Sequence, residues 1–273
     1  MSTPETPPEV RTNRWYLASA PIVSALLHLC VPVAAAMIVG AVYNVVNAGF
    51  IGSQHDTALL AAVTLGSPIL GLVMAVGNVF GVGGGALVSR LLGAAENDPA
   101  KAGGIKHTSS FALWGAVVVG IVVGALGLLF LHPLVTLLGA DATALHATRE
   151  FVAVLLAFVP VLAAATTLEQ LVRAEGAART VMVGLIASTV ANVAFDALFI
   201  LVLHWGVAGA ALATGLANLV TVGYFVVWLT RNSEHVSLAP KWFTLSGNVV
   251  KPVLGVGSAN CCKRRSSSSR PWC

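Results

Sequence analysis

The sequence predicts an all-α membrane protein, with six transmembrane helices forming one lobe, and three observations predict it. Hydrophobic residues fill 57% of the 273 positions, charged residues fill 10%, and the mean hydropathy is +0.86. A soluble domain covers itself with about a quarter of charged residues, so this composition excludes one. The apolar residues come in continuous runs rather than in alternation, which excludes a transmembrane β-barrel. The basic residues lie between the runs. The net charge of +4 and the pI of 9.1 therefore report orientation in a bilayer, and nucleic acid is not an expected partner.

The elements follow in order. Residues 1–14 are polar and Pro-rich and form a tail, with no secretory signal evident. A helix crossing the ~30 Å hydrocarbon layer needs about 20 apolar residues. No Asp, Glu, Lys or Arg occurs between Trp15 and His55, which places span one at roughly 17–45, running on toward Ile51. Span two occupies 58–88, span three 109–131 and span four 149–168. Asp196 is the sole charge between Thr180 and Thr230, a stretch too long for one crossing. The polar, aromatic turn His204-Trp205-Gly206 divides it into spans at 180–203 and 207–229. The lobe thus covers 15–230, and 231–259 forms a loop and the start of a seventh helix.

Arg11, Arg14, Arg90, Lys101, Lys106, Arg173, Arg179, Arg231, Lys241 and Lys251 all fall on one side of these six spans. The opposite loops hold only Arg149. This asymmetry predicts a multi-pass protein of the cell (inner) membrane with its N-terminus in the cytoplasm.

Asp196 is the one acidic residue deep within a span. An ionised carboxylate there is costly, so it should be protonated, paired with a cation, or open to a wet cavity. Asn192 precedes it by one helical turn on the same face and can hydrogen-bond it. The plainer alternative is a neutral carboxyl bonded to a neighbouring helix. Asn44 and Asn47, three apart at the end of span one, either line the same cavity or join packed helices. Pro32, Pro68 and Pro160 interrupt spans one, two and four and favour kinks. Small residues four apart (Gly81 and Gly85, Gly120 and Gly124, Ala211 and Gly215) suggest helix contacts, the alternative being that a Gly/Ala-rich composition yields such pairs by chance. Glu169 and Arg173 form a surface helix pair.

Other chemistry is missing from the pattern. Gly81-Val82-Gly83-Gly84-Gly85 has no Lys-Ser/Thr after it and lies inside a span, so it is no phosphate loop. The seven histidines never occur as i, i+4 ligand pairs, and the four cysteines (Cys30, Cys261, Cys262, Cys273) lack zinc spacing. No nucleophile elbow or HExxH motif occurs, so an enzyme is not expected.

The strings YNVVNAGFIG (43–52) and LLAAVTLGSPILGLVMAVGNVFGVGGGALVSRLLGA (59–94) resemble the first two spans of the multidrug and toxic compound extrusion transporters. LVRAEGAART (171–180), ANVAFDALFI (191–200) and GVAGAALATGLAN (206–218) resemble that family's segments around spans four to six. Together they cover about 15–258 in the family's order and spacing. The resemblance implies one six-helix lobe of a two-lobe transporter that exports drugs and other amphipathic molecules in exchange for H+ or Na+. It implies a cation site in which Asp196 works with Asn192 and Thr214, and a bend of span one about Pro32. Asn47 stands where the family has an Asp. An amide takes up no proton, so Asp196 alone would carry the coupling ion, and Na+ coordination there stays open. No cofactor beyond that ion is implied. The implied partners are drug-like small molecules, the lipid bilayer and a second, C-terminal lobe. A flippase for lipid-linked precursors, of the same superfamily, would favour an arginine-lined cavity instead. A non-transporting membrane scaffold would be indifferent to Asp196.

The last residues, NCCKRRSSSSRPWC (260–273), break the apolar approach of the seventh helix. A one-base shift of frame turns the Asn-Cys and Cys-Cys junctions to Leu and allows apolar codons through the serines. The expectation is a frameshift that truncates a longer transporter. The alternative is a cytoplasmic tail whose Lys263, Arg264, Arg265 and Arg270 bind anionic lipid.

Overall fold

A computed structural model describes residues 57–95, 102–137, 145–233, 236–243 and 247–263, together with Val31, Ala34, Ile38, Ala41, Val45 and Gly49. The N-terminal tail, Pro32, Asn44, Asn47 and residues 264–273 lie outside the described residues, and with them the expectations placed there. The six isolated residues of the first span are all helical and exposed, and their spacing of three or four puts them on one outward stripe.

Among the described residues every regular element is a helix. α1 spans Thr57–Ala95, α2 Ala102–Leu129, and the short α3 Leu131–Leu137. α4 (Leu145–Ala157) and α5 (Val159–Ala174) meet at a bend of 52°, and the pair together has the length and composition of one crossing. α6 covers Ala178–Asp196 and continues as a π-helical turn over Ala197–Val202. α7 covers Gly206–Asn232, and α8 covers Gly247–Lys263 after a 3-10 turn at Pro240–Trp242. Among the described residues four helices (α1, α2, α6 with its π turn, and α7) are long and apolar enough to cross a membrane, and five when the bent α4–α5 pair is counted as one span. These correspond to expected spans two to six. The seventh helix, expected from Gly247, runs through Cys261 and Cys262 to Lys263.

Two expectations need correction. α2 starts at Ala102, seven residues before the expected edge at 109, because its polar first turns are satisfied rather than exposed. Thr108 donates to the Gly104 carbonyl at 2.8 Å, and Thr108, Ser109 and Ser110 are all fully buried. The second correction concerns Pro68, which interrupts nothing: α1 runs unbroken through it. Proline has no N–H for the Thr64 carbonyl four residues back, and the Ser67 hydroxyl donates to that carbonyl at 2.8 Å instead. Pro160 does coincide with a break. The Leu156 carbonyl that it leaves without a helical donor faces Gly124, where a Cβ would lie 2.6 Å from it. A Cβ at Gly120 would come within 2.9 Å of the Pro160 Cα. Glycine at both positions lets α2 reach the bend.

All three predicted small-residue pairs sit at helix contacts. Gly81 and Gly85 face Thr167 and Gln170 of α5, and a Cβ at Gly215 would lie 2.5 Å from the Phe158 ring. Ala211 is 1% exposed. The GVGGG string is therefore the meeting point of the lobe: Gly84 faces Ala112 of α2, and Gly83 faces the Val253 carbonyl of α8. Only bare backbone lets one helix touch three others there.

α5 ends in a Schellman turn. Gly176 takes φ +80°, its N–H bonds to the Arg173 carbonyl at 3.0 Å, and the Ala177 N–H reaches Val172 at 3.3 Å. The Glu175 carboxylate accepts from the Ser233 hydroxyl just past α7, tying two helix ends together on this basic side. Glu169 and Arg173 are hydrogen-bonded, and their side chains are half-buried rather than fully on the surface.

Candidate cation site

α6 is apolar outside and polar inside. Its buried residues are Val181, Gly184, Asn192 and Asp196, one face at a spacing of three, eight and four. Val183, Ile186, Val190 and Leu198 lie on the other face and are exposed. In water this helix would bury the opposite face. A bilayer explains the inversion, because lipid covers the valines while the interior of the lobe receives the amide and the carboxyl. Asn192 and Asp196 are 3% and 2% exposed.

The backbone changes at Asp196. It is the last α-helical residue, and the next turn is π-helical, with the Leu203 N–H bonded to the Leu198 carbonyl at 3.0 Å. A π turn shifts the register of side chains and carbonyls by one residue, and such turns concentrate at functional positions. Beyond it, Phe195, Phe199 and Trp205 stack in a column with centroid separations of 6.0 and 5.5 Å. Trp205 is half-exposed, as an aromatic at the edge of a bilayer should be. The predicted turn at His204-Trp205-Gly206 is present, with positive φ at His204 and Gly206.

α7 runs antiparallel to α6. The Ser188 hydroxyl donates to the Ala217 carbonyl at 3.3 Å, and a Cβ at Gly209 would lie 2.9 Å from the Phe199 Cβ. Between these two contacts, Asn192 and Asp196 of α6 are level with the stretch of α7 that carries Thr214. The Thr214 hydroxyl donates to Ala210 at 3.0 Å, so toward a cation its oxygen acts as an acceptor. The structure therefore places Thr214 of α7 at the level of Asn192 and Asp196 along the α6–α7 seam; Asn47 and Pro32 lie outside the described residues.

Three residues that the sequence analysis did not single out join this seam. Asn218 donates its amide to the Thr214 carbonyl at 2.8 Å, which leaves its side-chain oxygen as the acceptor. Thr221 is buried and donates to Ala217 at 3.0 Å, and Ser188 sits one turn before Asn192. Asn218 lies four residues after Thr214, Ser188 four before Asn192 and Thr221 three after Asn218, and that helical spacing was the available signal. Among the described residues no three His, Cys, Asp or Glu side chains gather. A metal ion at Asp196 would draw on amide, hydroxyl and carbonyl oxygens, a donor set suited to a hard monovalent cation.

Residues 32–198, more than half of the chain, match the family described as MatE. The chain is 30% identical over 243 residues, 89% of its length, to the multidrug export protein MepA of Staphylococcus aureus strain MRSA252. It is also 30% identical, over the same share, to the protein of that name in Staphylococcus saprophyticus. In both cases it covers 53% of the relative, so the chain spans about half the length of the curated relatives it matches. An outward-facing multidrug resistance MATE transporter of the MOP superfamily superposes with a TM-score of 0.81 at 26% identity, covering 97% of this chain and 56% of that one. An inward-facing conformation gives 0.72 at 26% identity, covering 84% and 52%. A MOP superfamily transporter of Pyrococcus furiosus, described as having a binding pocket of reversed polarity, gives 0.79 at 26% identity, covering 89% and 53%.

Proposed function

The chain belongs to the MatE family, transporters rather than enzymes, and we propose that it forms the N-terminal six-helix lobe of a cation-coupled exporter of drug-like, amphipathic compounds. The observation that carries this reading is the inverted α6, which buries an acid and an amide one turn apart and turns its valines outward. The names of the MepA relatives support the substrate class.

In this reading Asp196 takes up the coupling ion, H+ or Na+. Asn192 and Thr214 supply further oxygens, Asn47 joins them from span one, and Pro32 lets that span bend. In this reading the lobe lies in the cell membrane with its N-terminus in the cytoplasm, an orientation that the placement of the basic residues supports. Ion occupancy changes which access state is favoured, and release of substrate follows from that change. A lobe by itself has nothing to rock against, so vectorial transport belongs to this lobe together with a second one. A flippase for lipid-linked phosphates is disfavoured. Arg90, Arg173, Arg179 and Arg231 all sit near helix ends, and no described span carries an arginine at its centre.

The test is made on the lobe. Purified chain in lipid nanodiscs is unfolded thermally while Na+ is exchanged for a large organic cation at constant ionic strength, and separately while pH is varied. A ligand that binds only the folded state at 100 times its Kd stabilises by about 2.7 kcal/mol. The expected result is a rise in Tm with one of the two ions that is absent in Asp196→Asn. A variant that keeps the full response overturns the assignment of Asp196.

A further inference from the structure

Residues four apart on an α-helix drift by about 40° around its axis, so a spacing of four does not by itself keep one buried line. Asn192, Asp196 and Ile200 nevertheless keep such a line, at 3%, 2% and 1% exposure. The wider π turn over Ala197–Val202 takes back the drift, and Leu198 and Val202 stay on the outward face with Val190. Which way the Asp196 carboxyl faces is thus set by where the extra residue of the π turn sits.

That residue has no way out of the helix. Before Asp196, α6 is held to α7 by Gly184 against the Phe225 ring and by the hydrogen bond from Ser188 to Ala217. After the π turn it is held by the positive φ angles at His204 and Gly206 and by Gly209, against which the Phe199 Cβ lies. Between two fixed ends a π turn can only move along the helix, and each residue that it passes turns by about 100°. A move toward Ser188 carries it past Asp196 and swings the carboxyl off the buried face.

Phe199 stands where such a move is resisted. Its ring lies between those of Phe195 and Trp205, at interplanar angles of 15° and 1°, and its carbonyl accepts the Trp205 N–H at 2.9 Å. Six residues apart on a plain α-helix, two side chains point about 120° away from each other. Phe199 and Trp205 therefore stack only while the extra residue and the bend lie between them. The stack and the π turn hold each other in place.

We propose that Phe199 is a positioning residue for the coupling ion: clamped between Phe195 and Trp205, it fixes the π turn after Asp196 and keeps the carboxyl on the buried face of α6. Phe199 itself touches no ion. The proposal deepens the exporter reading and rests on it for the ion alone.

The test uses the full chain in nanodiscs, with Cys30, Cys261, Cys262 and Cys273 replaced by serine. A nitroxide is attached at Leu198→Cys or at Val190→Cys, both exposed on the outward face, and dissolved oxygen is the collision probe. Position 198 turns inward if the π turn moves back past Asp196, whereas position 190 lies before the moving stretch. Phe199→Leu should lower the oxygen collision rate at 198 and leave that at 190 unchanged. Phe199→Tyr keeps the ring and should restore the rate at 198. An unchanged rate at 198 in Phe199→Leu overturns the clamp. Should Phe199→Leu not fold, Trp205→Leu removes the half-exposed outer ring and carries the same comparison.

Thermal unfolding at a series of ion concentrations reads the second arm. Phe199→Leu should weaken the apparent affinity for the ion that shifts Tm by about tenfold or more, the cost of losing a group that supports a ligand. Phe199→Tyr should restore it. Phe80→Leu, which removes a buried ring from the cluster between α1 and α2, should lower Tm and leave the affinity unchanged. Equal losses of affinity in Phe80→Leu and Phe199→Leu, or full affinity in Phe199→Leu, overturn the positioning role. If no ion shifts the Tm of the unaltered chain, the exporter reading fails, while the oxygen comparison still decides whether the clamp holds the π turn.

Discussion

Asp196 follows Asn192 by one helical turn on the buried face of α6, and the backbone leaves the α conformation immediately after it. The amide and the carboxyl share the same seam but not the same chemistry. Only the carboxyl changes charge, whereas Asn192 offers a neutral oxygen and two N–H donors.

The two should therefore separate by measurement. Asp196→Asn removes the ion response of Tm altogether. Asn192→Ala retains it with an apparent affinity lowered by about tenfold, or 1.4 kcal/mol. Equal loss in both variants would mean that the amide is as necessary as the acid.

Glycine substitutions along α2 and α7 sort by what the new methyl meets. Gly124→Ala and Gly215→Ala place it 2.6 Å from the Leu156 carbonyl and 2.5 Å from the Phe158 ring, so each should destabilise by about 1–3 kcal/mol. Gly223→Ala meets nothing within 4 Å and should stabilise α7 by about 0.5–1 kcal/mol. Unfolding in a denaturing detergent titration reads all three.

Residues 236–243 lie along α2, where Ser110 donates to the Ala239 carbonyl, the Trp114 indole to that of Leu238, and Phe243 stacks on Phe111. The segment predicts a protease phenotype. Trypsin has a site after Lys241, which is exposed. Ser110→Ala and Trp114→Phe each delete one donor to that segment, a loss of about 0.5–1.5 kcal/mol, and cleavage should quicken several-fold. Unaltered cleavage in the double variant would show that the stacking of Phe243 holds the segment without these hydrogen bonds.

Ser67 and Pro68 predict a compensation. Ser67→Ala removes the donor that replaces the missing helical N–H and should cost about 1 kcal/mol beside Pro68. In a Pro68→Ala background the backbone N–H returns, and the same serine substitution should be close to neutral. Thermal unfolding of the four variants gives the coupling energy directly.

The bilayer crossings two to six, the turn at 204–206, the helix contacts at Gly81, Gly120 and Gly215, and the buried pair on α6 were legible in the sequence. Each rests on side chains whose polarity or size differs from that of their neighbours. Ser109, Ser110, Trp114 and the α1–α8 contacts at Gly83 and Gly257 were not legible, for a physical reason. Their partners are main-chain carbonyls of Ser237, Ala239, Leu238, Val253 and Val79, and a carbonyl is the same group at every position. Pro68 misled for a related reason: the residue that repairs its helix is the hydroxyl immediately before it, whereas at Pro160 the helix ends.

Toward α5, α2 and α8 alike, α1 turns glycine. Ile69, Val73, Phe80 and Val88 interlock with the core elsewhere along the helix, but at each of the four glycines between 81 and 85 an added methyl would sit 3.1 Å or less from a neighbouring helix. A single substitution in that stretch is therefore felt by a second helix at once, and the five-residue string tolerates less change than the apolar runs on either side of it.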